Sequence, residues 1–253
     1  IVPLDVRYHS ALINYALRHS GAKAVVVDGG RIDDMSKCDA LTDVDIRLFT
    51  GPGKNEGYQA FRHLLATRPT ESLRDDLRAD DVSLVFYTSG TTARPKGVTL
   101  TRDCVASSIR KAGAVLRLNN DDVTLIAAPV SRPMALRTQL LPSLAAGATI
   151  VLLSGFTPDT YLKALRNHTN TTIIALLPAA LRKILFHPDL KREDLGCVRL
   201  CISGGDYVPA DLFDQFHDVT GIELTEQCGM TETGMYAVNP PYGRKKSGSI
   251  GLP

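Results

Sequence analysis

Tyr87-Thr88-Ser89-Gly90-Thr91-Thr92-Ala93-Arg94-Pro95-Lys96-Gly97 is the stretch on which the reading of this chain turns. Val82 to Tyr87 before it is apolar apart from one serine and predicts a buried strand. Val98 to Thr101 after it predicts a second short strand, and Asp103 to Leu116 a helix capped by Thr101. With glycine towards both ends and Pro95 near its exit, the stretch itself reads as a loop between strands. The hydroxyls of Thr88, Ser89, Thr91 and Thr92, the glycine amides and the Lys96 ammonium are all donors, and Arg94 offers a second cation. Such donors converging in a tight bend suit phosphate oxygens. The competing reading is a polar hairpin loop with no ligand. A Walker loop is excluded: that motif places Lys between Gly and Ser or Thr and opens a helix, whereas here Pro95 precedes Lys96, Gly97 follows it, and a strand comes next.

The chain has 253 residues, 44% hydrophobic and 22% charged, ordinary proportions for one large or two smaller globular domains. A net charge of +2 gives no electrostatic case for nucleic acid or an anionic membrane as main partner. Cys38, Cys104, Cys197, Cys201 and Cys228 are odd in number and scattered, with no Cys-x-x-Cys pair. That points to a reducing compartment, with the cytoplasm expected, and away from a disulfide framework or a zinc site. No signal peptide is seen, and no apolar run approaches the roughly 20 residues that span a bilayer. The chain opens on Ile1 in a strand-like Ile-Val-Pro-Leu and stops at Pro253 in mid-pattern, which reads as a piece of a longer protein.

Upstream of the loop, Val6 to His19 has helical periodicity with Leu12, Ile13, Ala16 and Leu17 on one face and Gly21 as C-cap. Val25-Val26-Val27 predicts a buried parallel strand. Asp33 to Asp45 is polar with weak periodicity, Asp45 to Phe49 predicts a strand, and Tyr58 to Thr67 a helix. The glycine-rich 51–57, with Lys54, reads as a plain loop, and the charged 68–81 as a solvated surface segment. Downstream, Asn119 to Asp122 is a turn, taken as a subdomain boundary. Strands at Val123–Ala128, Thr149–Leu153, Thr171–Leu177, Val198–Ile202 and Ile222–Thr225 then alternate with helices at Met134–Leu144 (bent by Pro142), Thr157–Asn167, Pro178–Phe186 and Pro209–Val219. That alternation predicts a parallel sheet covered on both faces.

In such sheets ligands lie beyond the carboxyl ends of the strands, and two segments there stand out. In Ser203-Gly204-Gly205-Asp206 the glycines would let a flat ring lie against the backbone; an ordinary turn is the plainer reading. In Glu226-Gln227-Cys228-Gly229-Met230-Thr231-Glu232-Thr233-Gly234, read as the loop after the last strand, Thr231 can donate to a phosphate and Glu232 is a hard oxygen ligand suited to Mg²⁺. A helix-capping segment is the alternative.

Tyr87 to Gly97 resembles the signature loop of the adenylate-forming superfamily, which includes acyl- and aryl-CoA synthetases, peptide-synthetase adenylation domains and luciferases. Its pattern is Tyr-Thr-Ser-Gly-Thr-Thr-Gly-x-Pro-Lys-Gly, and Ala93 is the one departure, a Cβ where glycine is usual. Ser203 to Asp206 and Gln227 to Glu232 are similar to the family's other two nucleotide motifs, in the same order, and Gly248 to Gly251 to its next turn. Val2-Pro3-Leu4 and Ser20-Gly21-Ala22-Lys23 fit the segments found upstream. The resemblance implies an α/β fold of two packed subdomains with mostly parallel sheets covered by helices, incomplete relative to the family's N-terminal domain. Residues 1–121 would form the first subdomain, with the phosphate loop, and 122–253 the second, with the adenine and Thr-Glu motifs.

The implied activity is ATP-dependent activation of a carboxylic acid, fatty or aryl, through an acyl-adenylate and then thioester formation with CoA. Thr88, Ser89, Gly90, Thr91, Thr92 and Lys96 would face the phosphates. Gly204, Gly205 and Asp206 would contact adenine by backbone, and Gln227, Cys228, Gly229 and Met230 would lie along the nucleotide. Cys228 replaces the usual aromatic ring. Thr231 would bind the α-phosphate and Glu232 would hold magnesium, so that Lys96, Thr231 and Glu232 carry the catalytic roles. Arg132 falls where the family has a histidine near the acyl pocket; an acid-facing and a surface role are both open to it. No aspartate is present there to pair with an α-amine, so an amino-acid substrate is disfavoured. The family's C-terminal domain, with its catalytic lysine, would be the partner of this piece, which alone is expected to be inactive or nearly so. A non-catalytic nucleotide-binding or interaction module of the same fold is the rival reading, favoured by Ala93, Cys228 and the missing histidine.

Overall fold

The computed structural model describes every residue except Lys54, 68–75 and 89–93. The expected phosphate-loop residues Ser89, Gly90, Thr91 and Thr92, with Ala93, therefore lie outside the described residues, as does part of the charged 68–81 segment. The elements run α1 (Ser10–Ser20), β1 (Ala24–Asp28), α2 (Ile32–Met35), β2 (Ile46–Thr50), β3 (Gln59–Ala60), α3 (Phe61–Thr67), β4 (Val82–Thr88), β5 (Lys96–Thr101) and α4 (Arg102–Val115). They continue with β6 (Val123–Ile126), α5 (Pro133–Ala135), α6 (Leu141–Ala145), β7 (Thr149–Leu152), α7 (Pro158–Asn167), β8 (Ile173–Leu176), α8 (Pro178–Leu185), β9 (Leu200–Gly204), α9 (Ala210–Thr220), β10 (Leu224–Met230) and β11 (Gly234–Val238). Two compact units result, Ile1–Arg102 and Asp103–Pro253. The helix ahead of the 121/122 boundary drawn from sequence thus counts with the second unit.

In the first unit α1 buries Ile13, Ala16 and Leu17 and ends where Gly21 turns left-handed at φ 63°, a conformation only glycine takes cheaply. β1, β2 and β3 form a parallel sheet. The triple valine does pair in parallel, but it is not buried on both faces: Val27 is in the core while Val26 is 52% exposed. β1 is an edge strand, and alternation sends neighbouring side chains to opposite faces. The weakly periodic Asp33–Asp45 region supplies more core than its composition suggested. A short helix and a 3₁₀ turn carry Met35, Cys38, Ala40 and Leu41 into the cluster around Ile13 and Leu17. β4 and β5 form a separate antiparallel ladder, from Val82 opposite Thr101 to Thr88 opposite Lys96.

The second unit is built on a six-stranded sheet in the order β11-β10-β9-β8-β6-β7. All pairs are parallel except β10–β11. On β8, Ile174 and Leu176 join the core formed with α7, α8 and α9. Ile173 and Ala175 pack on the other face with Leu200, Ile202 and Leu116, the last just beyond α4. Burial on both faces is why these strands read as unbroken apolar runs. The expected helix over Met134–Leu144 is divided: α5 passes into a π-helical turn, Leu136–Leu140, before α6. Pro142 lies in the first turn of α6 and has no N–H to continue the ladder, which the wider turn accommodates. The last predicted strand is also corrected. β10 runs through Gln227 to Met230, residues read as loop, and is closed by β11. Polar and glycine residues there hold strand geometry because β11 pairs along the whole segment and β9 pairs with Gln227.

At the amino ends of the strands one buried carboxylate ties four segments together. Asp122 Oδ1 accepts from Arg199 Nε at 2.8 Å and from the Thr172 hydroxyl at 2.8 Å. Its Oδ2 accepts from Arg199 Nη2 at 2.6 Å and from the Asn119 N–H at 3.0 Å. Arg199 also donates to the carbonyls of Leu116 and Arg117 and to the Tyr242 hydroxyl.

Candidate functional site

In the first unit, Thr88 and Lys96 stand opposite each other at the end of the β4–β5 ladder, so the two described ends of the donor-rich stretch are adjacent. α1 holds both ends. The Tyr15 hydroxyl donates to the Pro95 carbonyl at 3.2 Å, and His19 Nδ1 meets the Tyr87 hydroxyl at 2.9 Å. The Tyr15 and His19 rings stack at 5.1 Å. Burial pushes the Tyr87 phenol above its ordinary range, so it remains a neutral hydrogen-bonding group. Lys96 is exposed, and its ammonium meets no acceptor among the described residues.

In the second unit, segments from three strand ends converge on Gly205. A Cβ at Gly205, which has φ +80°, would stand 3.1 Å from Leu177 after β8 and 3.2 Å from the sulfur of Met134 after β6. In chain order the five parallel strands lie 2-1-3-4-5, and the order reverses at β6, where such sheets take ligands. Gly204 pairs with Gln227 across β9 and β10. A Cβ there would meet the Gln227 carbonyl at 2.1 Å, so glycine is required for the two strands to close. Gln227 is buried, and its Nε2 reaches the Thr138 hydroxyl at 3.4 Å. Asp206 is exposed; its carboxylate accepts from the adjacent Tyr207 N–H at 2.8 Å. Cys228 is half-buried with Sγ 2.9 Å from the Tyr236 hydroxyl, and Gly229 and Met230 are exposed at the end of β10.

Thr231 lies in the turn between β10 and β11, and its carbonyl is held by Arg137 Nη1 at 2.8 Å. Arg137 and Thr138 sit in the π-helical turn and were not singled out from sequence. The available signal was a lone arginine inside an apolar helical stretch. Glu232 is exposed, and its carboxylate meets no donor among the described residues. Among the described residues no group of three or more His, Cys, Asp or Glu side chains is placed to hold a metal. A single open carboxylate still fits magnesium, which takes one or two carboxylates and completes its shell with phosphate oxygens and water. Arg132 is exposed at the N-cap of α5. No helix among the described residues is long and apolar enough to cross a membrane.

Beside Gln227 on β10, Glu226 is only 7% exposed and its Oε2 has no hydrogen-bond partner among the described residues. Burial raises its carboxyl above the ordinary value. The folded state then keeps a proton that the unfolded chain releases, so this group costs stability as pH rises through the folded value. Glu226→Gln removes that cost without changing shape. It is expected to stabilise the protein by about 1 kcal/mol at pH 7, roughly 2–4 °C in thermal midpoint, and to give no gain near pH 4. An equal loss at both pH values would contradict this account.

A family profile, described as AMP-binding enzyme, matches residues 1–253. The chain belongs to the AMP-binding enzyme family. Among its curated relatives, this AMP-binding enzyme chain is 35% identical over 176 residues to the feruloyl-CoA synthase of an Amycolatopsis species, which covers 69% of the chain and 35% of that protein. It is 32% identical over 216 residues to the indoleacetate–CoA ligase of Aromatoleum aromaticum, 84% of the chain and 42% of that protein. Among solved structures, ATP-bound MatB from Rhodopseudomonas palustris superposes with a TM-score of 0.88 at 30% identity, over 100% of this chain and 49% of that one. The chain therefore spans half or less of the length of these relatives.

Proposed function

We propose that the chain is the nucleotide-binding core of a carboxylic acid–CoA ligase. The observation that carries this is Gly205, where segments following β6, β8 and β9 meet in a chain whose family binds AMP. The relatives' names, feruloyl-CoA synthase and indoleacetate–CoA ligase, supply the acid and the thiol. In the reaction a carboxylate oxygen attacks the α-phosphorus of ATP, the bond to the β-phosphate breaks, and pyrophosphate leaves. The CoA sulfur then attacks the acyl carbon, AMP leaves, and the thiol proton passes to solvent.

The residues divide these tasks by their chemistry. Thr88 and Lys96, with Ser89, Gly90, Thr91 and Thr92, offer donors to the phosphates. Gly204, Gly205 and Asp206 present backbone to adenine, and Gln227, Cys228, Gly229 and Met230 line the nucleotide. Thr231 donates to the α-phosphate and Glu232 would hold Mg²⁺, which neutralises phosphate charge when bound. The work is positioning and charge neutralisation, and the Arg137–Thr231 bond preorganises one donor for it. Acid-dependent ATP–pyrophosphate exchange, run on the intact protein with a panel of aryl and fatty acids, tests the reading. Exchange with at least one acid is the expected result. Calorimetric binding of ATP or AMP with no exchange from any acid would replace the ligase with a nucleotide-binding module.

A further inference from the structure

The backbone on both sides of Lys96 touches one helix, α1. On one side the Tyr15 hydroxyl donates to the Pro95 carbonyl at 3.2 Å. That carbonyl and the Lys96 N–H belong to one planar peptide unit, so the bond fixes the backbone from which the lysine side chain departs. On the other side a Cβ at Gly97 would stand 3.6 Å from both His19 Cε1 and Tyr87 Cε1, and 3.2 Å from Val85 Cγ1. The chain just after Lys96 therefore lies close against His19 of α1 and against Val85 and Tyr87 of β4.

The holder is itself fixed. Ile13, Ala16 and Leu17 bury α1 in the first unit. Tyr15 and His19 stand one helical turn apart, and their rings stack at 5.1 Å with planes 21° apart. The Tyr87 ring meets both edge-on, 6.0 Å from Tyr15 and 5.8 Å from His19. Its hydroxyl is tied to His19 Nδ1 at 2.9 Å and to the Ala16 carbonyl at 3.3 Å. This packing sets the orientation of the Tyr15 ring, and a group that must be placed accurately needs such support. The Tyr15 hydroxyl has a single proton, and that proton is committed to Pro95. None is left to donate to a phosphate, so any effect of Tyr15 on the chemistry passes through the backbone at Lys96.

We propose that Tyr15 is a positioning residue that sets the direction of Lys96 towards the phosphates of ATP. The proposal rests on the reading of Lys96 as the phosphate-facing cation. A double-mutant cycle on the intact protein tests it, with Tyr15→Phe, Lys96→Ala and the pair. The readouts are acid-dependent ATP–pyrophosphate exchange, calorimetric ATP affinity and thermal midpoint. Tyr15→Phe keeps the ring and loses only the hydroxyl. It is expected to lower exchange about tenfold, the order that a slightly misplaced group costs, with the KM for the acid unchanged and the thermal midpoint lowered by no more than about 4 °C. In the Lys96→Ala background the same change should alter exchange by less than about twofold, because the group it positions is gone. ATP affinity should follow the same pattern. An equal loss in both backgrounds would make Tyr15 a purely structural residue and overturn the proposal. So would exchange and ATP affinity both within about twofold of wild type in Tyr15→Phe, or a Lys96→Ala variant with wild-type exchange and affinity. A loss of ATP affinity that depends on Lys96, in a protein without exchange, would keep the role of Tyr15 and remove the ligase. Exchange and ATP affinity unaffected by Tyr15→Phe would do the reverse.

Discussion

Asp122→Ala is expected to cost the protein about 3 kcal/mol, the lower end of what removing one partner of a buried ion pair costs, since Arg199 keeps 29% of its side chain exposed. The loss has several parts. Arg199 loses a two-point partner, and the Thr172 hydroxyl and the Asn119 N–H lose their acceptor. The pH dependence identifies the source. Burial pushes the Asp122 carboxyl up, but Arg199, the Asn119 N–H and Thr172 outweigh it and leave it below its ordinary value. A carboxyl lowered in the folded state stabilises above its unfolded value and stops doing so as pH falls through the folded one. The gap between wild type and variant in urea denaturation should therefore be full at pH 7 and shrink below about pH 4. Nucleotide affinity should not change, because Asp122 lies at the amino ends of the strands, away from Gly205. A change within about 0.5 kcal/mol at pH 7 would show that the network contributes little.

The second large effect concerns chemistry. If Lys96 is the cation that faces the phosphates, Lys96→Ala should lower acid-dependent ATP–pyrophosphate exchange by about 10²–10³-fold, as loss of one preorganised donor to developing charge does. The side chain is exposed and makes no bond among the described residues, so the thermal midpoint should stay put. Lys96→Arg keeps the charge and should recover part of the rate. Exchange within about twofold of wild type in Lys96→Ala would remove Lys96 from the phosphate site.

What could be read from sequence followed from regular chemistry. Thr171–Leu177 was legible as a strand because Ile173 to Leu176 are buried on both faces, and Thr149–Leu153 because its β-branched apolar run suits a strand even at the sheet edge. Gly21 and Gly221 end their helices in left-handed conformations that few other residues adopt. The Gly204–Gln227 pairing gives the glycine-rich turn a steric reason that spacing alone could not supply. The misreadings share one cause: structure imposed by neighbours. Val26 is exposed because β1 lies at a sheet edge, which composition does not record. β11 and the end of β10 were missed because pairing, not alternation, makes them strands. Arg137 was passed over because its meaning depends on Thr231 and Ser108, far away in the chain.

The strand order of the second unit has a consequence for biosynthesis. β6 is flanked by β7 and β8, both made after it, and each later strand is added at the side where β8, β9 and then β10 lie. A parallel strand needs its crossover before it can pair, so the sheet grows in one direction as the chain emerges. β10 joins last among the parallel strands, and until β11 folds back on it, Gln227 to Met230 form an open edge able to pair with another chain. The Gly204–Gln227 end of the sheet is thus the last part to be finished, and a chain with β10 in place and β11 still unpaired presents that open edge to other chains.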